Sequence, residues 1–251
     1  MQNSIRAGTL LLAGYLALAC GPAKTKEPVE TTSDAGKTTS PSGAAADRRG
    51  TTLVRVVNAL PGKTAVDVTA DERILFGNIA YQDVTDFQEM KENVARFTVR
   101  HAGKDSVLAD NREVLGDGAR YTLIALPDGK GGTVLRVLRD ELVTDPGKTK
   151  IRVVNAAPGV EEVKVTVQGE TDPLFDGVAL GAEAGYRDID PTTATLVFRS
   201  KVGKPLVRVE AMRLDSGRAY TVVLTGTGRR VEAVRFDDRL VRSASQVSLR
   251  P

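Results

Sequence analysis

An eight-residue stretch of this chain is written twice with one change, and that duplication limits the possible folds more than any other feature. Arg55-Val56-Val57-Asn58-Ala59-Leu60-Pro61-Gly62 returns 97 positions later as Arg152-Val153-Val154-Asn155-Ala156-Ala157-Pro158-Gly159. A period of that length is a whole small domain, so the 251 residues divide into two copies, each long enough to bury its own core. Val54 and Val56 share one strand face in the first copy, as Ile151 and Val153 do in the second. The Pro-Gly pairs then turn the chain, because Pro presets φ and Gly permits positive φ. After each turn a second strand follows, with Val66 and Val68 in one copy and Val163, Val165 and Val167 in the other. Short apolar bursts separated by turn residues continue to Val134–Leu138 and to Val231–Phe236. Seven or eight such bursts per copy predict an all-β chain of two tandem immunoglobulin-like antiparallel β-sandwich domains.

Two smaller patterns refine that expectation. Leu115-x-x-Gly118-x-x-Tyr121 recurs as Leu214-x-x-Gly217-x-x-Tyr220. The spacing resembles a tyrosine corner, in which the hydroxyl bonds to backbone a few residues upstream while Gly allows the bend and Leu fills the core. Asn58 with Pro61 and Gly62, and Asn155 with Pro158 and Gly159, stand where a first strand ends and a turn begins. Asn there can bond local backbone, so these residues mark where each sandwich starts and are read as structural.

The amino terminus points to a location. Arg6 precedes a 12-residue apolar stretch, Ala7–Leu18, which has the form of a secretory signal and is too short to cross a bilayer as a helix. Leu16-Ala17-Leu18-Ala19-Cys20 resembles a bacterial lipobox, with Ala17 where Leu is usual; Ala17-Leu18-Ala19 also reads as an ordinary cleavage site. Cys20 is the only cysteine, which favours lipidation and excludes an intramolecular disulfide. Residues 1–19 are thus expected to be a lipoprotein signal, with Cys20 the membrane anchor. Gly21 in place of Asp points to the outer membrane in a Gram-negative cell. Residues 21–50 hold almost no aliphatic side chains and read as a flexible tether spanning roughly 30 Å. The repeats then occupy 51–143 and 148–243, with 244–251 as a tail. The joint Thr144–Thr149 is short and contains Pro146, predicting two domains held nearly end to end as a semi-rigid rod.

No catalytic constellation is visible. His101, the single histidine, precedes a turn and has Ser200 as its counterpart. Asp71-Glu72, Asp188-x-Asp190 and Asp237-Asp238 lack calcium-loop spacing and read as edge-strand charge. Asp128-Gly129-Lys130-Gly131-Gly132 lacks the spacing of a phosphate loop and reads as a hairpin turn. Arg229-Arg230 and Arg235 beside Phe236 suggest an anionic-glycan patch that Glu232, Asp237 and Asp238 largely cancel. No metal or cofactor is expected. The 35 Lys+Arg and 32 Asp+Glu are interleaved, which excludes a nucleic-acid face.

The doubled motif, the Val66-Asp67-Val68 strand, the mid-domain aromatics Phe87 and Tyr186, and Gly-x-x-Tyr-Thr in each copy resemble the DUF4397 family. That family is a domain of unknown function in bacterial secreted and surface proteins, often in tandem. This sequence departs from it where Asp67 becomes Lys164, and where a Ser often found before the Pro is Leu60 or Ala157. The resemblance brings no catalytic residues. Together these features predict a lipid-anchored cell-envelope protein with a non-catalytic binding, adhesion or scaffolding role and a protein or glycan partner. The second reading is a carbohydrate-binding module. With no Trp and aromatics at 4%, stacking platforms for sugars are scarce.

Overall fold

The computed structural model describes residues 51–237, apart from 63, 64, 142–144, 146 and 228. The signal segment, Cys20, the tether and the tail lie outside the described residues. Each copy of the motif opens a set of eight strands. In the first these are β1 (Thr52–Asn58), β2 (Val66–Ala70), β3 (Arg73–Ile79), β4 (Gln88–Met90), β5 (Val94–His101), β6 (Val107–Val114), β7 (Arg120–Pro127) and β8 (Thr133–Arg139). In the second they are β9 (Thr149–Asn155), β10 (Glu162–Val167), β11 (Pro173–Ala179), β12 (Glu183–Ile189), β13 (Thr192–Ser200), β14 (Pro205–Leu214), β15 (Ala219–Thr227) and β16 (Arg230–Asp237).

Each set folds into two four-stranded sheets. The orders are β4-β1-β7-β8 and β3-β2-β5-β6 in repeat 1, and β12-β9-β15-β16 and β11-β10-β13-β14 in repeat 2. The all-β sandwich expectation therefore holds, with one correction to its antiparallel description. β1 runs parallel to β7, pairing Val54 with Tyr121 and Val56 with Leu123, and β9 runs parallel to β15 in the same way. A parallel pair needs a long crossover, and here the strands between β1 and β7 supply it.

Each sandwich closes its own core. Val54, Val56, Val68, Phe97, Val99 and Leu123 are among the buried residues of the first. Ile151, Val153, Val165, Phe198, Leu214 and Val222 are among those of the second. A third cluster lies between the repeats. Val57, Ala59, Ile124 and Leu126 of repeat 1 pack with Val154, Ala156 and Val223 of repeat 2. Alternation explains its membership, because Val57 and Val154 point away from the cores that Val56 and Val153 fill. The β4-β1-β7-β8 and β12-β9-β15-β16 sheets thus lie face to face, each buried on both sides. This corrects the end-to-end rod expected from the short joint. Each fully buried Val, Leu or Ile contributes roughly 1.5–3 kcal/mol, so the five such positions in this cluster outweigh any geometric preference of the short joint.

Candidate functional site

The seam between the repeats is where the doubled motif does most of its work. Arg55 and Arg152, one in each copy, project into it and are almost completely buried. Arg55 Nε donates to Thr122 Oγ1 at 2.9 Å, and Arg152 Nε donates to Thr221 Oγ1 at 2.9 Å, giving the two copies the same local arrangement. Each guanidinium also reaches a backbone carbonyl of the other repeat. Arg55 Nη1 donates to Asp237 O at 3.0 Å and Arg152 Nη1 donates to Arg139 O at 3.3 Å.

One carboxylate serves both arginines. Asp140 accepts from Arg55 Nη2 at 3.4 Å, from Arg152 Nη2 through a short contact, and from Thr122 Oγ1 at 2.8 Å. Glu183 adds a second acid near Arg152 at 3.4 Å. Rings cover the planar faces of both cations. Arg55 lies 4.6 Å from the Phe87 centroid and 4.3 Å from that of Phe236, and Arg152 lies 4.6 Å from that of Tyr186. A buried guanidinium is tolerated when its charge is paired and its faces are stacked, and both conditions are met. Arg235 and Phe236 therefore do not form an open glycan patch, because Phe236 is committed to the seam.

The motif asparagines are fully buried. Asn58 Nδ2 donates to Ile79 O at 3.0 Å while its Oδ1 accepts from Leu60 N at 3.1 Å. Asn155 Nδ2 donates to Val160 O at 3.0 Å and Val178 O at 3.2 Å, and its Oδ1 accepts from Ala157 N at 3.2 Å. Each therefore ties its own turn to the strand edge opposite. Gly62 and Gly159, after Pro61 and Pro158, hold positive φ. The tyrosine positions are equally concrete. Gly116 N donates to Tyr121 Oη at 3.0 Å and Asp215 N donates to Tyr220 Oη at 2.9 Å. Leu115 and Leu214 are buried beneath, and Gly118 and Gly217 take φ of 67° and 71°, a region that favours glycine.

A pocket of about 370 Å³ opens at one pole of the seam. Leu60, Pro61 and His101 of repeat 1, Pro158 of repeat 2 and the β7–β8 hairpin form its walls. In that hairpin Asp128 Oδ1 accepts from Lys130 N at 2.7 Å and Gly132 N at 2.8 Å. These bonds hold its carboxyl below the usual range, and they turn inward the amides that a phosphate loop would present. Both members of one carboxylate pair weighed as a cation ligand are tied to lysines: Asp188 to Lys150 at 3.3 Å and Asp190 to Lys148 at 2.7 Å. Asp71 accepts from Arg96 N at 3.0 Å, and Asp237 from Arg218 at 3.3 Å. Asp238 lies outside the described residues. Among the described residues no group of three or more His, Cys, Asp or Glu is placed to hold a metal ion.

Sequence reasoning missed the roles of Arg55, Arg152 and Asp140. The available signal was a cation at the same place in two otherwise apolar strands, because such a strand interior admits a charge only where a partner awaits it.

Comparison with known proteins gives one family and several distant folds. Residues 52–166 match DUF4397, a domain of unknown function, a span that covers the strands of repeat 1, all of β9 and most of β10. No curated protein matches the chain significantly. Among solved structures, the C-terminal domain of AlgF from P. aeruginosa is 19% identical, with a TM-score of 0.31, covering 36% of this chain and 98% of its own. The CBM26 module CBMbc of Eubacterium rectale Amy13K, solved with maltoheptaose, is 13% identical at a TM-score of 0.26, covering 74% and 96%. A candidate cell adhesion protein from Bacteroides uniformis is 12% identical at 0.27, covering 78% and 100%. No enzyme family is indicated. Residues 52–166 of this chain thus carry the match to the DUF4397 family.

Proposed function

We propose that this is a lipid-anchored cell-envelope protein whose two sandwiches form one rigid, non-catalytic unit for binding, adhesion or scaffolding. The observation that supports this reading most is polarity along β1. The chain arrives from the tether at Thr52, and the composite pocket lies beyond Asn58, at the far end of that strand. At about 3.3 Å per residue, seven residues separate those poles by roughly 20 Å. An anchor at Cys20 would therefore join the sandwich at the end of β1 opposite the pocket. In a Gram-negative cell Gly21 would direct that anchor to the outer membrane. The second repeat is taken as a further copy of the same domain, since its strand order and its arginine, threonine and tyrosine contacts follow those of the first.

Mass spectrometry of the mature amino terminus tests the anchor: a diacylated or triacylated Cys20 is expected, and an unmodified cysteine removes the membrane from this reading. Proximity labelling on intact cells tests the binding role, with enrichment of a defined envelope partner expected over a variant carrying Pro61→Ala and His101→Ala. Equal labelling by both proteins would remove the composite pocket from the account. A carbohydrate-binding role is the second reading, favoured by one feature of the outer sheet of repeat 1.

A further inference from the structure

We infer that the outer face of the β2–β5–β6 sheet carries a site for a neutral saccharide, centred on Arg100. It rests on the non-catalytic binding reading and is independent of the lipid anchor.

The register of the sheet leads to the site. Arg100 lies opposite Asp67 on β2 and Val107 on β6, and Thr98 lies opposite Thr69 and Asp110. Ala95, Phe97 and Val99 fill the core, so Arg96, Thr98 and Arg100 face outward. An arginine opposite an aspartate ordinarily pairs with it, but here the aspartate is engaged elsewhere. Asp67 Oδ1 accepts from Asn78 N at 2.7 Å and its Oδ2 accepts from Gly103 N at 2.9 Å. The next acid along the face, Asp110, is held by Arg96 at 3.0 Å. Arg100 Nε is left buried with no acceptor, and the hydroxyl of Thr69, a residue only 2% exposed, is also without a partner. Both lie at a groove of about 380 Å³ or directly beside it, with Glu72, Arg96, Thr98 and Asp110 among its lining residues. A buried donor with nothing to bond is costly, and native structures resolve such groups with water or a ligand.

Repeat 2 shows that this is a specific property and not a consequence of the fold. Arg199 occupies the position of Arg100, opposite Lys164 where repeat 1 has Asp67. Its guanidinium donates to Gly203 O at 3.3 Å, and Lys164 pairs with Asp176 at 3.3 Å. Thr195 and Val197 stand where repeat 1 has Arg96 and Thr98. On the equivalent face of repeat 2 the arginine has an acceptor, and Thr195 and Val197 replace two of the residues that line the groove of repeat 1.

Charge selects the ligand class. Arg96 and Arg100 face Asp71, Glu72 and Asp110, so the groove has a slight excess of negative charge and does not attract polyanions. The occupant must offer Arg100 an acceptor and the acids donors, while bringing no negative charge of its own. A sugar hydroxyl both donates and accepts, and the half-exposed Val107 offers an apolar surface to the C–H face of a ring. Recognition here is by hydrogen bonds without an aromatic platform, which fits a chain with no Trp.

The test is amide shift mapping on the labelled mature chain, titrated with neutral gluco-, galacto- and manno-hexasaccharides, a hexauronate and a neutral hexapeptide. Saturable shifts at residues 96–100 and 107–110 are expected with a neutral hexasaccharide. Arg100→Gln is expected to weaken that binding at least about tenfold, as for loss of a bond to a charged donor. Glu72→Gln should weaken it less, and Arg199→Gln should leave it unchanged. If Arg100→Gln does not fold, Arg100→Lys keeps the charge without Nε and is expected to show the same loss. Tighter binding of the hexauronate or the hexapeptide, shifts confined to other residues, or full affinity in the Arg100 variants would each overturn the proposal. No shift with any neutral hexasaccharide would overturn it too, and a protein partner captured on cells would then leave the broader binding reading standing.

Discussion

The two repeats share a strand order and an opening motif, yet they have diverged on one face and stayed alike on the other. Facing the seam, Arg55 and Arg152 make the same bond to Thr122 and Thr221 and are both stacked on a mid-domain ring. On the outer sheets the corresponding arginines differ: Arg199 is closed by its own turn, whereas Arg100 Nε is buried without an acceptor. A residue in the seam is constrained by both repeats at once, because any change there meets the partner sheet. An outer residue answers only to its own domain and to whatever binds it. The seam is itself not fully symmetric, since Asp140 of repeat 1 serves both cations.

That asymmetry sets the size of the expected effects. Asp140→Ala leaves two buried guanidiniums sharing fewer acceptors and is expected to cost about 3–5 kcal/mol. Urea unfolding would measure it, and the single transition expected of the parent should split as the repeats separate. A cost below about 1 kcal/mol would show that the triad is not what joins them. Arg152→Ala is expected to cost about 3–4 kcal/mol and Arg55→Ala about 2–3 kcal/mol. The order follows from contacts, since Arg152 is 0% exposed and touches both Asp140 and Glu183. The reverse order in the same assay would place the weight on the Phe87–Phe236 stack instead.

The tyrosines probe where the copies match. Tyr121→Phe and Tyr220→Phe each remove an acceptor from one backbone amide, so similar costs of about 1 kcal/mol are expected in thermal melts. Midpoints unchanged from the parent would make the hydroxyls incidental.

The smallest expected effect concerns pH. Burial pulls the Lys150 ammonium down, but hydrogen bonds to Glu141 and Asp188 outweigh it and leave the group above its ordinary 10.5. The folded value is the higher one, so this stabilisation is complete below pH 10.5 and fades as pH rises through the folded value. Lys150→Met should flatten that part of an alkaline stability profile, and an identical profile in the variant would assign the loss to other groups.

Much of the fold was legible because its signals are local. Alternation at Val54 and Val56, the Pro-Gly turns and Gly-x-x-Tyr depend on neighbours within a few positions. The pocket and the Arg100 groove were not legible, because they are made of residues such as Leu60 and Pro158, or Thr69 and Asp110, that lie far apart in the chain. The second burial of β1 was half visible. Arg55-Val56-Val57 does not alternate cleanly, as befits a strand covered on both faces, but an arginine in that run resembles a solvated edge until its partner is known.

By itself the sequence determined the doubled motif, the strand-and-turn grammar of each copy and the place where each set of strands begins, since repeats and period-two patterns are properties of short stretches. Only the tertiary structure decided that the sandwiches meet face to face, that Arg55, Asp140 and Arg152 share one buried site, and that Arg100 Nε is buried without an acceptor. Those outcomes depend on which side chains come within a few ångströms of one another, and a hydrogen bond or ion pair has no energy until that distance is set.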